Sequence, residues 1–338
     1  MRALTLREHG TIDSLQLVDD HARPQPSAGQ VLLRVTASSF NYHDIFTVRG
    51  MPGIRIPFPV IVGLDVVGVV EELGADVTGP RPGERMMVHP SDPVRGLIGE
   101  MYDGGMAQYA TVDADLLIPV PDAVTDAQAA ALPIAYGTAH RMIIGKGAVR
   151  PGDKVLILGA SGGVGTASVL LARQLGAHVI AAVGTEEKGR RMLDIGADEY
   201  VNYRAQEFDR WVWERFGKPS RRTYDGGVDV VVNFTGGDTW RPSLRSAKRG
   251  GRILTCGATA GFDPVEDLRY VWSFELQIIG SNGFATEDFV ALLDMVACGE
   301  MVPLIDDVLP LDRAVEGLHR VEDRQVVGKI VIDPWAAS

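Results

Sequence analysis

Cysteine is nearly absent: of 338 residues, only Cys256 and Cys298 carry a thiol. Two thiols can build neither a multi-bridge disulfide scaffold nor a Cys-rich zinc knuckle. Basic residues are outnumbered, 33 Lys and Arg against 44 Asp and Glu, which leaves a net charge of −11. A chain of that sign has no broad basic face with which to replace the counterions of a phosphate backbone, which argues against a nucleic-acid partner. One local basic pocket for a phosphorylated cofactor remains compatible with it. No run of about 18 apolar residues occurs, so no membrane span is expected. The opening Met1-Arg2-Ala3-Leu4-Thr5-Leu6 lacks the long apolar core of a signal peptide, and the default expectation is a cytoplasmic protein.

What is present is globular composition, 46% hydrophobic and 23% charged, in a chain long enough for two domains. The first part reads as short strands, 31–35 and the apolar 66–70, separated by Gly/Pro stretches such as Gly79-Pro80-Arg81-Pro82-Gly83. The pattern changes near residue 122. Thr125 can cap a helix through Ala127-Gln128-Ala129-Ala130-Ala131. Strands and helices then alternate: strand 155–158, helix 166–175 stopped by Gly176, strand 179–183, helix 187–195 stopped by Gly196, and strands 228–233 and 253–256. This alternation predicts a parallel sheet with helices on both faces. Near the end, Phe289, Leu292, Leu293 and Val296 mark a core-facing amphipathic helix.

The densest chemical signal follows strand 155–158: Gly159-Ala160-Ser161-Gly162-Gly163-Val164-Gly165, then a helix. Glycine allows the sharp strand-to-helix turn, the close approach of backbone to a pyrophosphate and tight helix–strand packing. The free N–H groups and positive dipole end of the helix then face the anion. The strand before and the helix after supply the context that a bare glycine pattern lacks, so Ser161, Gly162, Gly163, Val164 and Gly165 are read as a dinucleotide cradle. An NAD site usually ends its second strand on an acid that holds the ribose hydroxyls. Here the strand ends Ala181-Ala182-Val183, followed by Gly184 and Thr185, with no acid at the tip. Lys188, with Arg190 and Arg191 nearby, can balance a 2′-phosphate, so NADPH is expected in preference to NADH. Against this, Glu186 and Glu187 in the same loop could take the ribose role, and the basic residues could be a solvated helix face. Phe234, Thr235 and Gly236, and then Cys256, Gly257 and Ala258, fall at the carboxyl ends of predicted parallel strands, where ligands bind in open α/β sheets. Cys256 reads as a small packed residue, since hydride transfer needs no nucleophile.

These motifs, together with Asn41-Tyr42-His43-Asp44, Pro59-Val60-Ile61-Val62-Gly63-Leu64-Asp65, Gly104-Gly105-Met106-Ala107-Gln108-Tyr109, Leu132-Pro133 with Gly137-Thr138-Ala139, Gly250-Gly251-Arg252-Ile253 and Val327-Gly328-Lys329-Ile330, occur in one order along nearly the whole chain. In this the chain resembles the medium-chain dehydrogenase/reductase superfamily, specifically its zinc-free quinone oxidoreductase-like branch. The resemblance implies an α/β protein: a GroES-like β-rich catalytic domain at 1–122, a Rossmann NADP-binding domain at 123–283, and a return segment at 284–338 that completes the first. It implies an active-site cleft between the domains. It also implies cofactor contacts from Asn41, Thr138, Tyr203, Asn282 and Lys329, beside those of the glycine turn. Strand 276–281 resembles the edge that pairs with its twin in relatives, so a homodimer is expected.

Zinc-dependent members hold their metal with Cys and His, often with Glu. By the same resemblance this chain has Asn41 at the first of those positions, Leu64-Asp65 in place of His-Glu, and Ile134 at the third. Leucine and isoleucine have no lone pair, segment 89–104 has no cysteine for a structural zinc, and His43, Asp44, Asp65 and His89 form no recognisable ligand pattern, so no metal is expected. Without a Lewis acid an alkoxide is hard to stabilise. Reduction of a conjugated C=C is easier, because hydrogen-bond donors can stabilise the enolate. The expected function is therefore a zinc-independent, NADPH-dependent oxidoreductase acting on a quinone, an enone or an acryloyl-type thioester. The alternatives are an alcohol dehydrogenase-like enzyme and an NADPH-binding protein with little catalysis. Asn41, Tyr42, His43 and Asp65 are the candidate catalytic residues: Asn41 to hold a carbonyl or the nicotinamide ribose, Tyr42 or His43 to donate a proton. Each also has a plainer reading. Asn41 could cap a loop, Tyr42 and His43 could be packed, Asp44 could orient the loop, Asp65 could make a structural bond, Thr138 could start a helix, and Tyr203 and Lys329 could lie on the surface. Segment Arg269-Tyr270-Val271-Trp272 reads as domain packing or as a contact for a larger substrate.

Overall fold

The computed structural model describes residues 1–337. It divides into two compact units, one formed by residues 1–137 with the chain from 285 onward, the other by Thr138–Phe284. No helix among the described residues is long and apolar enough to cross a membrane.

The discontinuous unit is built on strand Gln30–Ser39, in which alternation turns Val31, Leu33 and Val35 to one face. There they pack with Val66, Val70, Met86, Val88 and Val112. The strand pairs antiparallel with Asp65–Leu73, with Tyr109–Asp113 and with Lys329–Asp333. The last of these comes from the far end of the chain, and Ile305–Pro310 runs parallel beside it. A second cluster draws on both ends: Leu4, Leu6, Phe40, Ile45 and Val48 pack with Leu309, Leu318, Ile330 and Ile332. Helix Thr286–Ala297 buries Phe289, Leu292, Leu293 and Val296, the face that its periodicity marks.

The contiguous unit holds a six-stranded, all-parallel sheet in the order Glu199–Asn202, His178–Val183, Lys154–Leu158, Val228–Val232, Ala247–Thr255, Gln277–Gly280. The order reverses between Lys154–Leu158 and Val228–Val232. The carboxyl ends of those two strands therefore flank the crevice in which such sheets bind ligands. Helices Gly163–Gln174, Glu186–Asp194, Phe208–Phe216 and Trp240–Ser246 cover the faces, and the near-continuous Val/Ile/Leu/Ala strands His178–Val183, Lys154–Leu158 and Val228–Val232 at the middle of the sheet are largely buried.

Three sequence expectations shift. The first unit extends to Gly137, not 122, because composition marks where secondary structure changes and not which core it packs on. Arg85 holds Asp126 and Val124 O, each at 2.6 Å, and so fastens the new helix to the first unit. The cofactor helix begins at Gly163, three residues before the expected start, because the glycines of the turn already belong to its first turn. Thr138 does not start a helix. It lies inside one continuous helical run in which Asp126–Ala131 and Gly137–His140 are separated by a widened π turn, Leu132–Tyr136, with a second such turn, Arg141–Lys146, after it.

Candidate active site

Strand register brings the catalytic candidates together. Ser39 lies opposite Asp65 on one side and Val331 on the other, and Phe40 N donates to Ile330 O at 3.1 Å. Lys329 therefore enters beside Phe40 and Asn41. Its ammonium donates to Phe40 O at 2.6 Å and to Asn41 Oδ1 at 2.6 Å, and it lies 3.1 Å from Asp65 Oδ2. Asp65 Oδ2 also accepts from Ser39 Oγ at 2.6 Å and Asn41 Nδ2 at 2.8 Å, while its Oδ1 accepts from Ile134 N at 2.9 Å. Lys329 is 2% exposed and Asp65 0%, so this is a desolvated ion pair whose remaining donors and acceptors are matched.

The widened turn Leu132–Tyr136 is part of this arrangement. Ile134 N reaches Asp65, and Ala130 O, four residues earlier, lies 2.9 Å from Ser39 Oγ and shares its single proton with Asp65 Oδ2. The two backbone groups that a regular α-turn would pair both point into the cluster. Such π turns recur at functional sites.

Asn41 is the residue before helix Tyr42–Arg49, and its N–H donates to Asp44 Oδ2 at 2.7 Å, while its side chain serves Asp65 and Lys329. Asp44 is buried with Oδ1 unpartnered. Desolvation lifts its pKa from 3.8 to about 7, against the pull of the Asn41 N–H bond, and the Asp65 charge adds to the rise. Tyr42 leans on the Leu4/Phe40 cluster, edge-on to Phe46 at 5.3 Å. His43 Nε2 meets Glu100 Oε1 at 3.0 Å.

In the contiguous unit, the turn after strand Lys154–Leu158 is as close-packed as its glycines suggest. A Cβ on Gly165 would fall 2.3 Å from Gly159 O, so only glycine fits there. Ser161, Gly162, Gly163 and Val164 stay half-buried, open to a ligand at the start of helix Gly163–Gln174. Asn233 shapes the neighbouring loop: its buried Oδ1 accepts from Thr235 N at 2.9 Å and Gly236 N at 3.0 Å, and its Nδ2 donates to Ser243 Oγ at 2.9 Å. This sets Phe234 beside the glycine turn, 3.3 Å from where a Gly159 Cβ would stand. Gly257 is exposed and Ala258 half-buried after strand Ala247–Thr255, and exposed Asn282 follows Gln277–Gly280, so all three lie at carboxyl ends of the same sheet.

At the tip of strand His178–Val183, Thr185 caps the next helix by accepting from Lys188 N at 3.2 Å. The Glu186 carboxylate is turned away to accept from Tyr200 Oη at 2.7 Å and Asn202 Nδ2 at 3.0 Å, bonds that lower its pKa. Gly184 is bordered instead by Tyr203 and Arg204. A Cβ there would stand 3.0 Å from Tyr203 Oη and 3.3 Å from Arg204 Nε. Burial pushes the Cys256 thiol up to about 12, so it is no nucleophile. In the 269–272 segment Tyr270 stacks on Phe274 at 5.5 Å, and Trp272 is 71% exposed.

Ser39, Glu100, Arg204 and Asn233 were not singled out by sequence. Arg204 adjoins Tyr203 and could have been found by asking which cations flank an acid-free strand tip. Ser39 and Glu100 carry no local signal, since Asp65 lies 26 residues from Ser39 and His43 lies 57 from Glu100.

A β-rich unit and a doubly wound parallel sheet with a dinucleotide-type glycine turn define a two-unit oxidoreductase. Residues 27–122 match the family model of the alcohol dehydrogenase GroES-like domain, and residues 163–297 match that of the zinc-binding dehydrogenases. The mouse quinone oxidoreductase is 30% identical over 94% of this chain and 92% of its own. The crystal structure of an NAD-dependent alcohol dehydrogenase superposes with a TM-score of 0.90 at 32% identity, covering 98% of this chain and 99% of that one. A 2-octenoyl-CoA carboxylase reductase, solved with NADP and 2-octenoyl-CoA, gives a TM-score of 0.86 at 27% identity, covering 98% and 87%. The chain belongs to the medium-chain dehydrogenase/reductase superfamily.

Two outcomes are expected of the buried cluster. Lys329→Met leaves the Asp65 carboxylate buried without its counter-charge and should cost about 3–5 kcal/mol in urea unfolding. The Asp65→Asn, Lys329→Met double variant should lose clearly less than the sum of the two single variants, whereas strict additivity would show that the pair is not coupled. Asp44 has a folded pKa above its unfolded one, so its contribution to stability is complete below about pH 4 and is lost as pH rises to about 7. The slope is at most about 1.4 kcal/mol per pH unit. Unfolding free energies of Asp44→Asn at pH 5, 6, 7 and 8 should lack that slope.

Proposed function

We propose that this chain is a zinc-independent, NADPH-dependent reductase of conjugated carbonyl acceptors: quinones, enones or enoyl thioesters. The observation that carries the reading is the buried Lys329 ammonium, held by Asp65, Asn41 and Phe40 O. Zinc needs about four N, S or O donors. At the positions that resemblance assigns to metal ligands, Leu64 and Ile134 offer none, Asn41 Oδ1 is taken by Lys329, and Asp65 Oδ2 already accepts from three groups. A dication would also be repelled by the ammonium. The donor set does not fit zinc, although the matched family model is that of zinc-binding dehydrogenases.

The glycine turn fits a dinucleotide. Tyr203 and Arg204 at the acid-free strand tip, with Glu186 engaged elsewhere, support NADPH over NADH. When bound, the reduced nicotinamide supplies a hydride. The residues around Asn41 then have to manage the negative charge that appears on the acceptor's carbonyl oxygen, by hydrogen bonds and proton donation. Lys329 has its three N–H groups occupied and acts through Asn41 and Asp65, whose orientations it fixes. The reductase solved with NADP and an enoyl-CoA and the mouse quinone oxidoreductase support this acceptor class. The alcohol dehydrogenase neighbour supports the second reading, oxidation of an alcohol.

Strand Gln277–Gly280 ends the parallel sheet with Ile278 42% exposed, and we read it as the edge that pairs with a second copy. Light scattering should give the mass of a dimer, and a monomer mass removes this part.

The deciding assay follows NADPH and NADH absorbance with small quinones, enones and enoyl thioesters, and NAD⁺ or NADP⁺ with alcohols, on chelator-treated protein. NADPH-linked reduction of a conjugated acceptor with full activity after chelation is expected. Activity that returns only with zinc, or alcohol oxidation alone, refutes the proposal. Tight NADPH binding without turnover on any acceptor would leave a binding protein. In the same assay Arg204→Ala should raise KM for NADPH roughly 10-fold or more and leave KM for NADH within about 2-fold, the signature of a lost phosphate contact worth about 1.5–3 kcal/mol.

A further inference from the structure

Next to the Lys329 cluster lies a second pair of titratable groups. His43 sits in the first turn of helix Tyr42–Arg49, two residues past Asn41. Its Nε2 meets Oε1 of Glu100 at 3.0 Å, and Thr47 Oγ1, one turn further along, lies 3.2 Å from the same oxygen. The Glu100 side chain is only 3% exposed, while that of His43 is 28% exposed. The ring stands edge-on to Phe46 at 6.3 Å, which with the Glu100 bond fixes its plane. Nδ1 has no partner among the described residues. The other imidazole–carboxylate contacts differ: His178 meets Glu199, 17% exposed, and His319 meets Asp13, 75% exposed. Further contacts, His178 with Asp198 and His319 with Glu322, use carboxylates 40% and 26% exposed, so among the described residues only the His43 contact sets a carboxylate as buried as Glu100 against a partly open ring.

We infer that His43 protonates the reduced acceptor from Nδ1, and that Glu100 is its positioning residue, holding the ring and its tautomer through Nε2. This rests on the reductase reading above. A carboxylate on one ring nitrogen fixes which nitrogen exchanges protons with the reaction. The step balances. The acceptor's β carbon has received a hydride, and the electron pair stands as an enolate. That pair forms a new C–H bond at the α carbon as the Nδ1–H bond of the imidazolium breaks, and the carbonyl is restored. His43 is left neutral with Nε2–H still on Glu100, and water returns the proton to Nδ1. The acceptor gains one hydride and one proton, and the dinucleotide is oxidised.

The charged groups near His43 are Glu100, from the turn after Gly96–Leu97, and Asp44 on its own helix, which feels the charges of both His43 and Lys329. Asp44 is buried and bonded to Asn41 N, so Glu100 is the acid in direct contact with the ring.

The test uses the full chain, NADPH and a small enone. His43→Asn should lower kcat by about 100-fold or more while NADPH binding, read by its fluorescence, stays within 2-fold. Glu100→Gln should lower kcat about 10-fold at unchanged KM and enlarge the D₂O solvent isotope effect, and Glu100→Asp should recover part of the loss. Added imidazole should raise the rate of His43→Gly in proportion to its concentration. Wild-type turnover with both single variants within 2-fold of it overturns the assignment alone. So does a loss in Glu100→Gln that falls on KM or on melting temperature with no isotope effect. A wild-type protein that binds NADPH and reduces no enone overturns the reductase reading and this assignment with it.

Discussion

An ammonium buried against a carboxylate is costly to build unless every remaining lone pair and proton is matched, and the chain matches them with unusual completeness around Lys329 and Asp65. That demand reaches outward. It explains why Ser39 ends its strand opposite Asp65, why Asn41 turns its amide toward Asp65 and Lys329, and why the helical run from 126 widens where Ile134 and Ala130 face the pair. The same demand ties strand Lys329–Asp333 to Gln30–Ser39. The register of the central sheet and the electrostatics of the site are therefore one problem with one solution.

The two units differ in how they prepare for chemistry. Thr138–Phe284 uses backbone: glycines that tolerate close approach, a helix end, and loops braced by the Asn233 amide. The other unit uses side chains drawn from positions far apart in sequence. A backbone cradle accepts whatever dinucleotide fits, and its edge is where Arg204 and Tyr203 border Gly184. A side-chain cluster fixes charge.

Legibility in sequence followed the range of the interaction. The glycine turn, the strands 155–158 and 179–183 with the helix after each, and the amphipathic helix at 286–297 rest on patterns that repeat within a few residues and are readable to within about three positions, whereas the strand expected at 253–256 begins at Ala247 and helices Phe208–Phe216 and Trp240–Ser246 carry no such signal. The Lys329–Asp65 contact spans 264 residues, and only the resemblance pointed to Lys329 at all. Glu100 reads as an ordinary loop acid until the fold buries it. The boundary expected at 122 falls at 137 because an alanine-rich helix looks the same whichever core it serves. The π turns were invisible too, since Pro133 is the one local hint and a proline near a helix start is commonplace.

Because Lys329 enters through strand Lys329–Asp333, the discontinuous unit cannot close its charge cluster until residue 329 has been synthesised. The contiguous Thr138–Phe284 unit faces no such delay. Every strand of the parallel sheet thus precedes, in sequence, the cation with which Asp65 pairs.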